Sequence, residues 1–204
     1  MTFYENRQRF ENISIRIGAA FSKLGLSPNQ WTMLTIIPAL LALYFLVNSQ
    51  FLYAAIFFII SGFLDMVDGA VARVMGKVTK LGAYLDTMMD RYVEAVIILG
   101  LLFVPLPGFV IPATAWLFLY FMGSMLTTYA KSAAKEKELV ERELKGGILE
   151  RAERLLILFV GILLAIVDVT YLTYVIVLLA ILTNISAIQR AYIAMKAAGK
   201  KAIS

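Results

Sequence analysis

Apolar residues along this chain come in long runs, and the polar residues collect between them. The runs cover about Asn29–Val47, Phe51–Val74, Gly82–Val104, Phe109–Lys135, Ala152–Val167 and Thr170–Lys196. Each is near the roughly twenty residues a helix needs to cross the hydrocarbon of a bilayer. Segments of that length in lipid are helices, not barrel strands, because a helix satisfies its own backbone hydrogen bonds. The pattern therefore predicts an all-α integral membrane protein with six transmembrane helices. Ser27-Pro28-Asn29-Gln30 opens the first, with Ser27 as N-cap, Pro28 at the first helical position and Gln30 completing a capping box. Asn48-Ser49-Gln50 is a tight turn, Pro105-Leu106-Pro107-Gly108 stops the third helix, and Asp168 marks the turn before the sixth. Ahead of them, residues 3–24 place Phe10, Ile13, Ile17, Phe21 and Leu24 on one helical stripe, with Arg7, Arg9, Arg16 and Lys23 off it. That segment is too charged to span. It reads as an amphipathic helix in the membrane interface, the alternative being a soluble surface helix. The expected organisation is an interfacial helix over 1–26 and one membrane domain over 27–204.

Composition agrees: 61% of the 204 residues are hydrophobic and 16% charged, against about half and a quarter in soluble domains. Charge adds an orientation. All nineteen Lys and Arg fall before Pro28, between Arg73 and Arg91, between Lys131 and Arg154, or from Arg190 onward. In a six-span topology these segments share one side, which the positive-inside rule makes cytoplasmic. Both termini are then cytoplasmic, in a multi-pass protein of the cell membrane. No signal peptide is expected, since the first residues are polar and charged. In the segment Lys135–Glu150, Glu138/Arg142 and Glu141/Lys145 are i,i+4 pairs that predict a short helical extension, broken by Gly146-Gly147. The chain has neither Cys nor His. Disulfides and thiolate chemistry are excluded, and any general base is a carboxylate, a lysine or a tyrosine.

Four aspartates stand out at the ends of two apolar runs. Asp65 and Asp68 are i,i+3, and Asp86 and Asp90 are i,i+4, so each pair shares a helix face and a short turn lets the faces oppose. Four acids at low dielectric repel one another and resist desolvation. Divalent cations resolve this, and all-oxygen ligands suit magnesium, manganese or calcium rather than zinc. The other reading, loop acids paired with Arg73, Lys77, Lys80 and Arg91, makes less of ionisable groups at membrane helix ends, which are functional by default.

The full spacing, Asp65-x2-Asp68-Gly69-x2-Ala72-Arg73-x8-Gly82-x3-Asp86-x3-Asp90, resembles the signature of the CDP-alcohol phosphotransferases. That family makes membrane phospholipids from nucleotide-activated alcohols. The resemblance implies two divalent ions, Mg2+ or Mn2+, on Asp65, Asp68, Asp86 and Asp90. It also implies that Asp90 takes the proton from the alcohol, which the absence of histidine independently makes the simplest choice. Asp65, Asp68, Gly69, Ala72, Arg73 and Gly82 become nucleotide-binding candidates, with Asn29 and Thr32 resembling a family position near the nucleotide. Small residues at Gly69, Ala72 and Gly82 serve close helix packing equally well, and Arg73 serves either phosphate oxygens or the lipid interface. Homodimerisation is an expectation from the family alone.

A second resemblance concerns the acceptor. Tyr129-Ala130-Lys131-Ser132-Ala133, Gly146-Gly147-Ile148-Leu149-Glu150-Arg151-Ala152-Glu153-Arg154-Leu155 and Ile188-Gln189-Arg190 are similar to the branch of that family using inositol phosphate. A phosphorylated acceptor needs fixed cations, and Lys131, Arg151, Arg154 and Arg190 supply them; positive-inside decoration is the plainer account. The expected reaction transfers a phosphatidyl or archaetidyl group from a CDP-linked diradyl lipid to inositol phosphate, releasing CMP. Glycerol phosphate is the alternative acceptor, and a cation transporter using the aspartates is a remote one. Membrane lipid is the remaining partner, and none is expected among nucleic acids.

Overall fold

Why the first apolar run is interrupted at Thr35 is written in its prolines. In the computed structural model, which describes residues 3–140 and 148–201, it is two helices, α2 (Pro28–Leu34) and α3 (Ile36–Val47). Pro38 has no N–H to offer the Leu34 carbonyl, and its ring crowds that carbonyl, so the turn between them loosens. Thr35 tightens the joint instead, its N–H donating to Thr32 O at 3.3 Å and its hydroxyl to the same oxygen at 2.7 Å. The Thr35 carbonyl accepts from Ala39 N–H at 3.4 Å and from Ser61 Oγ of α4 at 2.9 Å. The single helix expected over Asn29–Val47 is therefore jointed. The Ser27 capping box forms as predicted: Ser27 N–H donates to Gln30 Oε1 at 2.8 Å, and Gln30 N–H to Ser27 Oγ at 3.3 Å.

Among the described residues every regular element is an α-helix, and the helices group into two compact units, 1–100 and 101–204. The first unit contains α1 (Phe3–Ser22), α2, α3, α4 (Phe51–Val74) and most of α5 (Lys80–Leu102). Helix α1 packs on α4 at Gly18, where a Cβ would lie only 2.7 Å from the Ala70 carbonyl carbon. Ile17 and Phe21 join Trp31, Val67 and Val71 in a shared core, with Phe21 edge-on to Trp31 at 5.3 Å. Ile13 and Leu24 of the same stripe stay exposed.

The second unit holds α6 (Ala113–Glu136), α7 (Arg151–Leu164) and α8 (Val169–Lys201). Helix α6 begins later than the expected Phe109. Pro112 forces the preceding Ile111 out of the helical region, and residues 109–111 form a tight turn with Val110 at φ 61. At its other end α6 stops at Glu136, and Glu138 takes a left-handed φ of 55. The expected helical extension thus fails at Glu138; the rest of it, with Gly146-Gly147, lies outside the described residues. Gly123 lets α6 approach α8, a Cβ there meeting Asn184 N at 2.9 Å, and Gly161 does the same for α7 against Val175. Asn184 Nδ2 donates to Leu119 O at 2.8 Å, a polar tie inside the pair.

Among the described residues three segments, Pro28–Val47, Phe51–Val74 and Val169–Gly199, are long and apolar enough to cross a membrane. The chain is an integral membrane protein. Helices α5 and α6 have the length but carry the charges of the signature and of the Lys131–Glu136 end. Helix α7, at 14 residues, spans roughly 21 Å, short of the ~30 Å hydrocarbon core.

Candidate active site

The reversal between α4 and α5 builds the site. Helix α4 ends in a Schellman turn: Lys77 N–H donates to Ala72 O at 2.9 Å and Gly76 N–H to Arg73 O at 3.3 Å. Gly76 supplies the left-handed φ of 62 that this turn requires. Thr79 then caps α5, its Oγ1 accepting from Gly82 N–H at 2.9 Å. Gly76 and Thr79 escaped the sequence reading. Their signals were a glycine just past an apolar run and a threonine three residues before Gly82.

With that reversal, Asp65 of α4 meets Asp86 and Asp90 of α5. One carboxylate oxygen from each lies within 4.8 Å of the others. Like charges so close repel strongly at low dielectric. An all-oxygen, partly buried donor set fits a hard divalent cation such as Mg2+ or Mn2+. Asp68 stands outside this triple. It is buried, its Oδ2 lacks a hydrogen-bond partner, and the charges of Asp86 and Asp65 reach it.

Asp68 instead lines a cavity of about 310 Å³ beside the triple, together with Asn29, Thr32, Gly69, Ala72, Arg73, Gly82 and Asp86. Every residue expected around the nucleotide except Asp65 thus shares one cavity. Pro28, Lys77, Val78, Thr79 and Ala83 complete its wall. A Cβ at Gly69 would meet only the Arg73 guanidinium, with Nη1 at 3.3 Å. One at Gly82 would meet Thr79 Oγ1 at 3.1 Å and Asn29 Oδ1 at 3.2 Å. No neighbouring backbone presses on either glycine, in contrast to Gly18. Arg73 Nη2 donates to Ser14 Oγ of α1 at 2.8 Å. Arg91 pairs with Glu94 at 2.6 Å. Glu94 is buried and was not singled out from the sequence, although it continues the every-fourth-residue series Asp86, Asp90, Glu94.

In the second unit, two of the four expected acceptor cations come together. Arg154 and Arg190 are only 2% and 8% exposed, rare for arginine. Arg154 Nη1 donates to Thr127 Oγ1 at 3.3 Å and Arg190 Nη1 to Thr127 O at 3.0 Å. Lys131 and Arg151 are half-buried; Lys131 is one helical turn beyond Thr127, and Arg151 one turn before Arg154. A carboxylate capping box holds the start of α7, Glu150 N–H donating to Glu153 Oε2 at 2.9 Å.

The chain is similar to known proteins. The chain is 39% identical over 185 residues to archaetidylinositol phosphate synthase of Pyrococcus horikoshii, covering 89% of this chain and 90% of that one. Its structure resembles that of Mycobacterium tuberculosis phosphatidylinositol phosphate synthase with CDP-DAG bound. The TM-score is 0.77 and the identity 26%, over 90% of this chain and 94% of that one. The same enzyme in complex with manganese and citrate gives a TM-score of 0.79 at 26% identity, over 89% and 88% of the two chains. Residues 26–188 match the family described as CDP-alcohol phosphatidyltransferase, and the chain belongs to that family.

Proposed function

We propose that this enzyme transfers a phosphatidyl or archaetidyl group from a CDP-linked diradyl lipid to a hydroxyl of inositol phosphate, releasing CMP. The observation that carries the reading is the single cavity that gathers Asn29, Thr32, Asp68, Gly69, Ala72, Arg73, Gly82 and Asp86 next to the Asp65/Asp86/Asp90 triple. The missing side chains at Gly69 and Gly82 let a nucleotide lie against the helix backbones, and Arg73 meets phosphate oxygens. Asp65, Asp68, Asp86 and Asp90 hold the divalent ions, Mg2+ or Mn2+. When bound, those ions neutralise the diphosphate and stabilise CMP as leaving group. Asp90 accepts the proton of the acceptor hydroxyl as its oxygen bonds the lipid-bearing phosphorus and the bond from that phosphorus to CMP breaks. Lys131, Arg151, Arg154 and Arg190 bind the acceptor's own phosphate. The convergence of Arg154 and Arg190 on Thr127 supports that assignment, as do the relatives named for inositol phosphate products.

The same reading places six spans in the cell membrane, with residues 1–26 as an interfacial helix and 27–204 as the membrane domain. Both termini and the active site face the cytoplasm, and the enzyme works as a homodimer. The test is an assay of purified protein with CDP-lipid, magnesium or manganese and a panel of acceptors, scoring CMP release. Inositol phosphate should far exceed free inositol and glycerol phosphate. A preference for glycerol phosphate would reassign the acceptor, and metal-independent turnover would remove the aspartates from the chemistry.

A further inference from the structure

We infer that Thr127 is a positioning residue for the acceptor's phosphate, holding the guanidiniums of Arg154 and Arg190 side by side in one orientation. This rests on the acceptor assignment above.

Thr127 is fully buried in α6, is not part of the sequence signature, and has both of its oxygens in use. Its hydroxyl has one proton, and that proton goes to Ser124 O at 2.7 Å. Toward Arg154 Nη1, at 3.3 Å, the same oxygen must therefore act as acceptor. The Thr127 carbonyl accepts from Arg190 Nη1 at 3.0 Å. One residue of α6 thus anchors an arginine from α7 and another from α8. Because both anchors are atoms of a single residue, the two cationic heads are neighbours.

Two buried like charges held this close repel each other, and an anion between them is favoured. A guanidinium recognises phosphate through a planar fork of donors whose orientation decides whether the pairing is bidentate. Anchoring one N–H of each fork sets that orientation before the acceptor arrives. This lowers the cost of ordering two long side chains at binding. Ser124, also fully buried, commits the hydroxyl proton and so keeps the Thr127 lone pairs aimed at Arg154.

The hydroxyl and the carbonyl can be separated by mutation. Thr127→Val keeps the shape and the backbone carbonyl and removes the anchor of Arg154 together with the hydroxyl's bond to Ser124 O; Thr127→Ser keeps the hydroxyl and the carbonyl. In full-length purified enzyme with saturating CDP-lipid, Thr127→Val should raise the KM for inositol phosphate roughly tenfold. That is the low end of what a hydrogen bond to a charged group is worth. The KM for CDP-lipid should stay at its parental value, and Thr127→Ser should restore acceptor binding. Thr127→Ala asks the same question if the valine variant is not recovered.

A double-mutant cycle separates positioning from general packing. If Thr127 acts through Arg154, adding Thr127→Val to Arg154→Ala should cost nothing further in acceptor KM. Additive losses would overturn the inference. So would a Thr127→Val enzyme with parental acceptor KM while Arg154→Ala is impaired, an outcome that leaves the acceptor assignment standing. If Arg154→Ala and Arg190→Ala themselves leave the acceptor KM unchanged, the acceptor assignment falls and Thr127's role falls with it.

Discussion

Substituting Gly69 by alanine should stabilise this protein and damage its activity at once. Gly69 lies within α4, where glycine costs about 1 kcal/mol relative to alanine through backbone entropy. The new Cβ would face the cavity and meet only the Arg73 guanidinium, at 3.3 Å from Nη1, and a flexible side chain can yield a few tenths of an ångström. The folded state should therefore gain up to about 1 kcal/mol. For a chain of this size that corresponds to roughly 2–4 °C in Tm. The same methyl would sit beside Arg73 in the cavity proposed for the nucleotide, so on that proposal the KM for CDP-lipid should rise. Gly18→Ala is the internal control. There a Cβ would come within 2.7 Å of the Ala70 carbonyl carbon and 2.8 Å of Val74 Cγ2. Helix α1 would have to back away from α4, at a cost of about 1–3 kcal/mol for overpacking. The measurement is thermal unfolding in detergent beside CDP-lipid titration for both variants. A Gly69→Ala protein that melts lower than the parent and keeps its CDP-lipid KM would show that Gly69 serves helix packing, and would refute the argument.

Asp90→Asn should abolish turnover while CDP-lipid binding persists, whereas Asp65→Asn should weaken metal binding, measured by manganese titration; turnover by Asp90→Asn at saturating metal would remove it as the base. EDTA should silence the parent enzyme, and added Mg2+ or Mn2+ should restore CMP release. Cysteines introduced at Ser49, Gly108 and Thr170 should label from outside intact cells, and cysteines at Ser22 and Lys137 only after permeabilisation; external labelling of Lys137→Cys would invert the topology. Asp168 caps α8 by accepting from Thr170 N–H at 2.7 Å, which holds its carboxyl below the usual range. A depressed carboxylate contributes stability above its unfolded pKa, and this is lost as pH falls through the lower folded value. Asp168→Ala should therefore melt below the parent at neutral pH, with the gap closing in strong acid; a gap independent of pH would exclude the cap.

Much of this protein is determined locally, and local physics is legible in a sequence. Lipid leaves a backbone few options, so an apolar run such as Phe51–Val74 dictates a helix, and the structure gives that helix the expected bounds. The Ser27 capping box follows from residues three apart. The helical period puts Asp65 with Asp68, and Asp86 with Asp90, on shared faces before anything is folded. Missing histidine and cysteine leave a carboxylate, a lysine or a tyrosine as any general base, and oxygen donors as the ligands of any metal. The tertiary structure decided what depends on how faces meet. Gly76 and Thr79 set the angle of the reversal, and that angle selects Asp65, Asp86 and Asp90 for the close triple while sending Asp68 to the cavity wall. Pro38 was visible, but its effect is felt four residues earlier, and the bond from Ser61 that ties the joint at Thr35 to α4 crosses 26 residues of chain. Thr127 carries no periodic or compositional mark. Its partners lie 27 and 63 residues away on other helices, and helix packing, not any pattern along the chain, brings those three residues together.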